Sequence, residues 1–172
     1  MLRAEGEREI QFWLLQIVIG SPQPEIRRGQ SSDLAAVAAL LKKARLPIDD
    51  LANATDLKLW VLEMEGKLAG AIALEGTEPT GCLLRSLVAV GSHRRQGFGQ
   101  ALVARVESDA RTDGVERLVL LTEIARALFH RLGYELIERA TVPEDLRQSA
   151  ELRSLCPASA ICMAKHLYSN RG

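Results

Sequence analysis

The sequence predicts a mixed α/β domain, of the α+β kind, and three observations lead there. Apolar runs of strand length alternate with segments whose apolar residues recur at helical spacing. A glycine-rich run, RRQGFG at Arg94 to Gly99, follows the apolar strand LLRSLVAV and opens an amphipathic helix. A continuous apolar run, RLVLLT at residues 117–122, has the composition of a strand buried on both faces.

The elements follow in order. Pro22 and Pro24 in SPQP separate an N-terminal extension, residues 1–24, from a domain expected over residues 25–168. EIRR at 25–28 reads as a short strand. Ser31 or Ser32 can cap the next helix, in which Leu34, Val37, Leu41 and Ala44 share a face and which ends before Pro47. Residues 57–64 and 67–75 form two strands around a Glu65-Gly66 hairpin turn, and Leu83 to Val90 is the next strand. The helix after the glycines puts Phe98, Leu102, Val106 and Ala110 on its inner face, leaves Glu107 and Arg111 outside, and ends at Gly114. After the strand at 117–122, a short helix from Ile124 to Leu132 stops at Gly133. Tyr134 to Val142 reads as a strand, Pro143 to Ser159 as an irregular stretch with one or two helical turns, and residues 160–167 as the closing strand.

At 172 residues the chain is long enough to bury one core without disulfide or metal staples. Its 22 basic and 22 acidic residues cancel, so no net field recruits nucleic acid. The odd set Cys82, Cys156 and Cys162 fits a reducing compartment, and a cytoplasmic location is expected. FWLLQIVIG, residues 12–20, is too short to span a bilayer, and the acidic EGEREI before it does not suit a signal peptide. That run is expected to pack on the domain or on a partner, with a homodimer contact, an added surface element and an upstream start artefact as the alternatives for residues 1–23.

The glycine-rich run has the chemistry of a phosphate cradle. Glycines let several backbone amides turn toward one point, and the helix N-terminus adds unpaired N–H groups with partial positive charge. A dinucleotide fingerprint would need a third glycine where Leu102 stands, and a P-loop would need Gly-Lys followed by Ser or Thr. What is present is RxxGxG, from Arg94, Gly97 and Gly99.

With that motif and the order of elements, residues 25–167 resemble the GNAT superfamily of acyl-CoA-dependent N-acetyltransferases. The resemblance implies a mixed, mostly antiparallel central sheet, splayed around the cofactor and flanked by helices, with acetyl-CoA as cosubstrate. It implies that main-chain groups of Leu87, Val88 and Ala89 pair with the pantetheine arm as if it were an added strand. It also implies a pyrophosphate site over Arg94, Arg95, Gln96, Gly97, Phe98, Gly99 and Gln100. Near Ala89 a strand amide would polarise the thioester carbonyl, and the amine would attack directly.

Proton transfer has candidates of unequal standing. Glu123, just past the buried strand, can act as base directly or through water, with His130 a weaker choice. Many superfamily members carry a tyrosine acid where this chain has Phe129, which has no proton to give, so Tyr134, Ser159 or Cys156 would have to reach the leaving thiolate. Arg85 and Ser86, and separately Arg153 and Ser154, offer oxyanion clamps for an acceptor.

RSLCPASAICMAKHL, with LLRSLVAV and LVLLTEIARALFHRLGY, is similar to the arsenic-resistance branch of the superfamily, and also to amino-acid N-acetyltransferases of the N-acetylglutamate synthase type. Both imply a small-molecule amine acceptor resembling an amino acid; the first implies an arsenic-containing one. Cys156 and Cys162 invite a trivalent-arsenic reading, but their spacing matches no standard metal motif and Cys162 lies in an apolar strand pattern, which favours packing. No metal site is expected. An ordinary amino-acid acetyltransferase and a non-catalytic acyl-CoA sensor are the alternative functions.

Overall fold

The computed structural model describes residues 23–48, 51, 56–76, 81–90 and 97–168. The N-terminal run at 12–20 lies outside them. Among the described residues a seven-stranded sheet runs in the order β1-β2-β3-β4-β5-β7-β6. Its strands are β1 (Glu25–Arg28), β2 (Leu57–Met64), β3 (Lys67–Glu75), β4 (Cys82–Ala89), β5 (Arg117–Thr122), β6 (Glu135–Leu136) and β7 (Ile161–His166). Only β4 and β5 pair in parallel; every other neighbouring pair is antiparallel.

The turn between β2 and β3 is the expected one: Glu65 and Gly66 both have positive φ, 52° and 71°, the twist a two-residue hairpin requires. Among the described residues four α-helices accompany the sheet: α1 (Leu34–Lys43), α2 (Phe98–Thr112), α3 (Arg126–Arg131) and the single turn α4 (Glu144–Arg147). On one face, α2 and α3 cover a core built from Trp60, Leu62, Ile72, Leu84, Leu102, Val106, Leu120 and Met163. The opposite face carries two smaller clusters. Val37 and Leu41 of α1 pack on Val61, Ala71, Ala73 and Val88, while Val142 and Leu146 pack on Leu83, Val119 and Cys162. The strand at 117–122 is thus covered on both faces, as its composition requires.

Four local expectations are corrected. Neither Ser31 nor Ser32 caps the first helix. The chain enters through a 3-10 turn, Ser31–Asp33, in which the Asp33 carboxylate accepts the Gln30 amide at 2.7 Å. Asp33 also accepts two bonds from Arg27, and with these donors its carboxyl is held down to about 2. The short helix starts at Arg126, because the Thr122 hydroxyl takes the Ala125 amide and Ile124 stands 96% exposed. Tyr134 to Val142 is not one strand: the strand ends at Leu136, the Ile137 amide makes a last bond to the Cys162 carbonyl at 3.0 Å, and the chain turns over Arg139–Thr141. There the Arg139 guanidinium donates to the carbonyls of Pro157 and Ala160, which draws the backbone away from the sheet.

Glu107 is the fourth. It is buried, 6% exposed, rather than outside. The Lys165 ammonium donates to both its carboxylate oxygens at 2.8 and 2.7 Å and to the Leu132 carbonyl at 2.7 Å, while Arg111 lies at 3.4 Å. A carboxylate satisfied this fully can sit on a helix's inner face.

Candidate functional site

Two backbone features create the site. The first is a parting in the sheet. β4 and β5 pair with each other only at Cys82 with Leu118 and Leu83 with Val119; beyond them, β4 runs on to Ala89 and β5 to Thr122 without pairing to one another. The second half of β4 therefore presents an edge with no strand partner among the described residues.

That half also carries a bulge. Ala71 pairs with Val88 but Ala73 pairs with Arg85, so Ser86 and Leu87 together oppose Ile72. Ser86 has φ 58°, the left-handed region for a residue with a Cβ. Such a bulge re-aims main-chain groups and is common beside functional sites. Leu87 and Ala89 are half-buried and Val88 is 6% exposed, held by the clusters on either face.

The second feature is the start of α2. Gly97 holds φ 77° and supplies no side-chain cap; the first intrahelical bond is Ala101 N–H to Gly97 O at 2.8 Å. The amides of Gly99 and Gln100 precede that bond and lie in the first turn, before the helix's own ladder begins. Among the described residues, a Cβ placed at Gly97 or Gly99 would meet nothing within 4 Å. Among the described residues neither glycine relieves crowding, and the partial positive charge of a helix start suits an oxyanion such as a pyrophosphate.

The two features adjoin. At Gly70 of β3 an added Cβ would lie 2.9 Å from the Val88 carbonyl and 3.1 Å from the Leu102 side chain, so β3, β4 and α2 converge there. Arg94, Arg95 and Gln96 lie outside the described residues.

The candidate proton-transfer and acceptor residues separate clearly. Glu123 is exposed just past the end of β5, and its carboxylate accepts the Ser159 hydroxyl at 3.0 Å. His130 is exposed on α3. Phe129 is 5% exposed and meets Tyr134 edge to face at 5.4 Å. Tyr134 is fully buried with its ring beside Lys165, and burial together with the Glu107 charge holds its phenol well above the ordinary value. It belongs to the core between α2, α3 and β7.

Cys156 is half-buried on the other side of the sheet. Burial, then the Glu151 carboxylate 3.6 Å away, pushes its thiol up to about 12. Cys162 is buried in the cluster of Leu83 and Val119, and desolvation raises its thiol too. No group of three His, Cys, Asp or Glu residues placed to hold a metal occurs among the described residues.

Arg85 differs most from expectation. Its side chain is 1% exposed and its guanidinium is already shared by two carboxylates, Glu75 on β3 and Glu151 at 2.8 Å. It is not an open clamp. Alternation along a strand could not reveal this, because the partner at 151 comes from the irregular C-terminal segment, a π-type turn over Glu151–Leu155. Arg153 in the same turn is exposed, and the Ser154 hydroxyl donates back to the Ala150 carbonyl.

Among the described residues no helix is long and apolar enough to cross a membrane. The fold is similar to that of N-acetylglutamate synthase from Neisseria gonorrhoeae, solved with coenzyme A and N-acetyl-glutamate: TM-score 0.72 at 22% identity, covering 86% of this chain and 36% of that one. It is also similar to Rv2747 from Mycobacterium tuberculosis, solved with CoA, with TM-score 0.70 at 24% identity over 84% of this chain and 99% of that one. At these identities the likeness concerns the fold.

In sequence, the chain is 33% identical over 84 residues to a probable N-acetyltransferase 14 of Danio rerio, covering 46% of this chain and 30% of the relative. It is 26% identical over 103 residues to an uncharacterized N-acetyltransferase of Chlorobaculum tepidum, covering 60% of this chain and 64% of the relative. The chain thus spans less than two thirds of each. The family model for the GNAT acetyltransferases matches residues 30–134, from the turn before α1 through the described start of α2 to Tyr134, and the chain belongs to that family.

Proposed function

We propose that this protein transfers an acetyl group from acetyl-CoA to the primary amine of a small, amino-acid-like molecule. The observation that carries the reading is the parting of β4 from β5 beyond Leu83, beside the glycine-led start of α2. Main-chain groups of Leu87, Val88 and Ala89 suit the amides of a pantetheine arm, and the amides of residues 97–100, with Arg94, Arg95 and Gln96 before them, suit its pyrophosphate. Acetyl-CoA supplies an activated thioester, and the task left to the protein is to position a neutral amine and stabilise the developing oxyanion.

Glu123 is the base of this reading. It is exposed past the end of β5 and is oriented by the Ser159 hydroxyl, so it can take a proton from an ammonium directly or through water. With Phe129 at the usual acid position and Tyr134 enclosed in the core, the thiolate leaves without a tyrosine donor. The N-acetylglutamate synthase among the similar folds supports an amino-acid acceptor. Similarity of the C-terminal segment to the arsenic-resistance branch supports including arsenical amino acids, with Arg153 and Ser154 near the acceptor. A cytoplasmic setting fits the three free thiols.

A free-thiol release assay with acetyl-CoA tests the reading, with glutamate, other amino acids and arsenical or phosphinic glutamate analogues as acceptors. Release with any of them supports transfer. Tight CoA binding with no release across the panel would favour an acyl-CoA sensor, which the enclosed Phe129 also fits.

A further inference from the structure

We infer that Arg139 is a positioning residue for the transfer: it clasps the turn at 157–160 and so sets the Ser159 hydroxyl against Glu123. The inference deepens the acetyl-transfer reading and rests on it for the role of Glu123 as base. Glu123 is held from two sides. Its backbone is set by the end of β5, where Thr122 pairs with Ile161 of β7 and the Thr122 hydroxyl accepts the Ala125 amide at 2.9 Å. Its carboxylate is met at 3.0 Å by the Ser159 hydroxyl, from the segment that leads into β7.

An exposed hydroxyl competes with water for a carboxylate, so such a bond persists where the backbone that carries the hydroxyl is already fixed. Ser159 lies in a turn, outside every helix and strand. The Ala160 amide closes that turn on the Pro157 carbonyl at 3.0 Å. Arg139 then donates to the carbonyls of both these residues, Pro157 at 2.9 Å and Ala160 at 3.0 Å, and both bonds leave from its Nη2. One cationic nitrogen thus bridges the two ends of the turn, with Ser159 between them. Hydrogen bonds from an ionised donor are the stronger kind.

The anchor is itself fastened to the sheet. Two residues before Arg139, the Ile137 amide bonds to the Cys162 carbonyl of β7 at 3.0 Å. Three residues after it, Val142 is buried against Leu83 and Val119. Between them the 3-10 turn is closed by the Thr141 amide and hydroxyl, both donating to the Glu138 carbonyl. Order therefore passes from the core through Arg139 to the turn, to Ser159 and to Glu123. Ser159 fixes one carboxylate oxygen, and the other serves the acceptor's ammonium or its water. Losing that order should lower kcat and leave the KM for acetyl-CoA unchanged, because the pyrophosphate cradle is built from other residues.

The test uses wild type, Arg139→Met, Arg139→Lys, Ser159→Ala and the double variant of Arg139→Met with Ser159→Ala. Methionine keeps an apolar stem without donors, whereas a lysine ammonium can meet both carbonyls as the single Nη2 does. Arg139→Gln replaces Arg139→Met should the latter not fold. The first readout needs no acceptor: the rate at which a water-soluble carbodiimide couples glycine ethyl ester to Glu123, resolved by mass spectrometry. Labelling is expected to be about threefold faster in Arg139→Met and in Ser159→Ala, no faster still in the double variant, and restored toward wild type by Arg139→Lys. Unchanged labelling in Arg139→Met, or an effect that persists in full in the Ser159→Ala background, would overturn the inference.

The second readout is thiol release with the acceptor that wild type uses fastest, where kcat in Arg139→Met should fall about threefold with the KM for acetyl-CoA unchanged. An unchanged kcat would also overturn the inference. No release by wild type with any acceptor would fail the transfer reading alone, since labelling still decides whether Arg139 sets the Ser159 contact. Release by wild type with labelling indifferent to Arg139 would fail the Arg139 inference alone.

Discussion

Gly99→Val should separate ligand binding from stability. Gly99 lies in the first turn of α2, has no positive φ, and a Cβ there meets nothing within 4 Å among the described residues, so the fold should accept the side chain. By helix propensity Gly is about 1 kcal/mol and Val about 0.6 kcal/mol worse than Ala, so the change should stabilise the protein by a few tenths of a kcal/mol or leave it neutral. The added methyls, however, should crowd a phosphate that approaches the helix start. Losing one or two charge-assisted hydrogen bonds to a phosphate, at about 1.5–3 kcal/mol each, corresponds to at least about tenfold, and at the upper end more than about a thousandfold, in Kd. CoA titration by calorimetry, with urea denaturation of the same sample, measures both quantities. Unchanged CoA affinity in a protein of unchanged stability would refute the assignment of this helix start as the phosphate site.

Further predictions concern the ionisable groups. Lys165→Met should destabilise the fold by about 2–4 kcal/mol in urea, because it strands the buried Glu107 carboxylate with only the more distant Arg111, and adding Glu107→Leu should recover most of that loss. Cys156, held at about 12, should alkylate with iodoacetamide only at strongly alkaline pH; Glu151→Gln removes a negative neighbour and should shift that rise to lower pH, read by site-resolved mass spectrometry. Asp33 has a lowered carboxyl, so its contribution to stability is fully present above its unfolded value near 4 and is lost as pH falls through about 2. Wild type should therefore lose its stability advantage over Asp33→Asn in denaturation curves taken down that range.

What the sequence made legible was local and periodic. The Glu65-Gly66 turn, the doubly buried run at 117–122 and the glycines at the start of α2 each announce themselves within a few residues, because hairpin twist, two-sided burial and a glycine-led helix start have local chemical requirements. What it concealed depends on distant partners. Glu107 reads as an outward residue until Lys165, on β7, is placed opposite it. Arg85 reads as an available cation until the turn at Glu151–Leu155 folds back over β4. The run from Tyr134 has strand composition, yet Arg139 is drawn to carbonyls some twenty residues later and the strand stops at Leu136. The splay between β4 and β5 has no signature in either strand alone, since it arises from where their pairing stops.

That splay has a consequence for handling the protein. A β-edge opened in the middle of a sheet is a template for any extended chain, including a neighbouring molecule's, and β4 has neither proline nor a lysine fence along it. Natural sheets usually blunt such edges at their margins; here the edge is interior, and no strand among the described residues covers it. If its occupant is the pantetheine arm, the ligand is also a guard against misassembly, and concentrated solutions should keep their soluble protein longer with CoA present than without it.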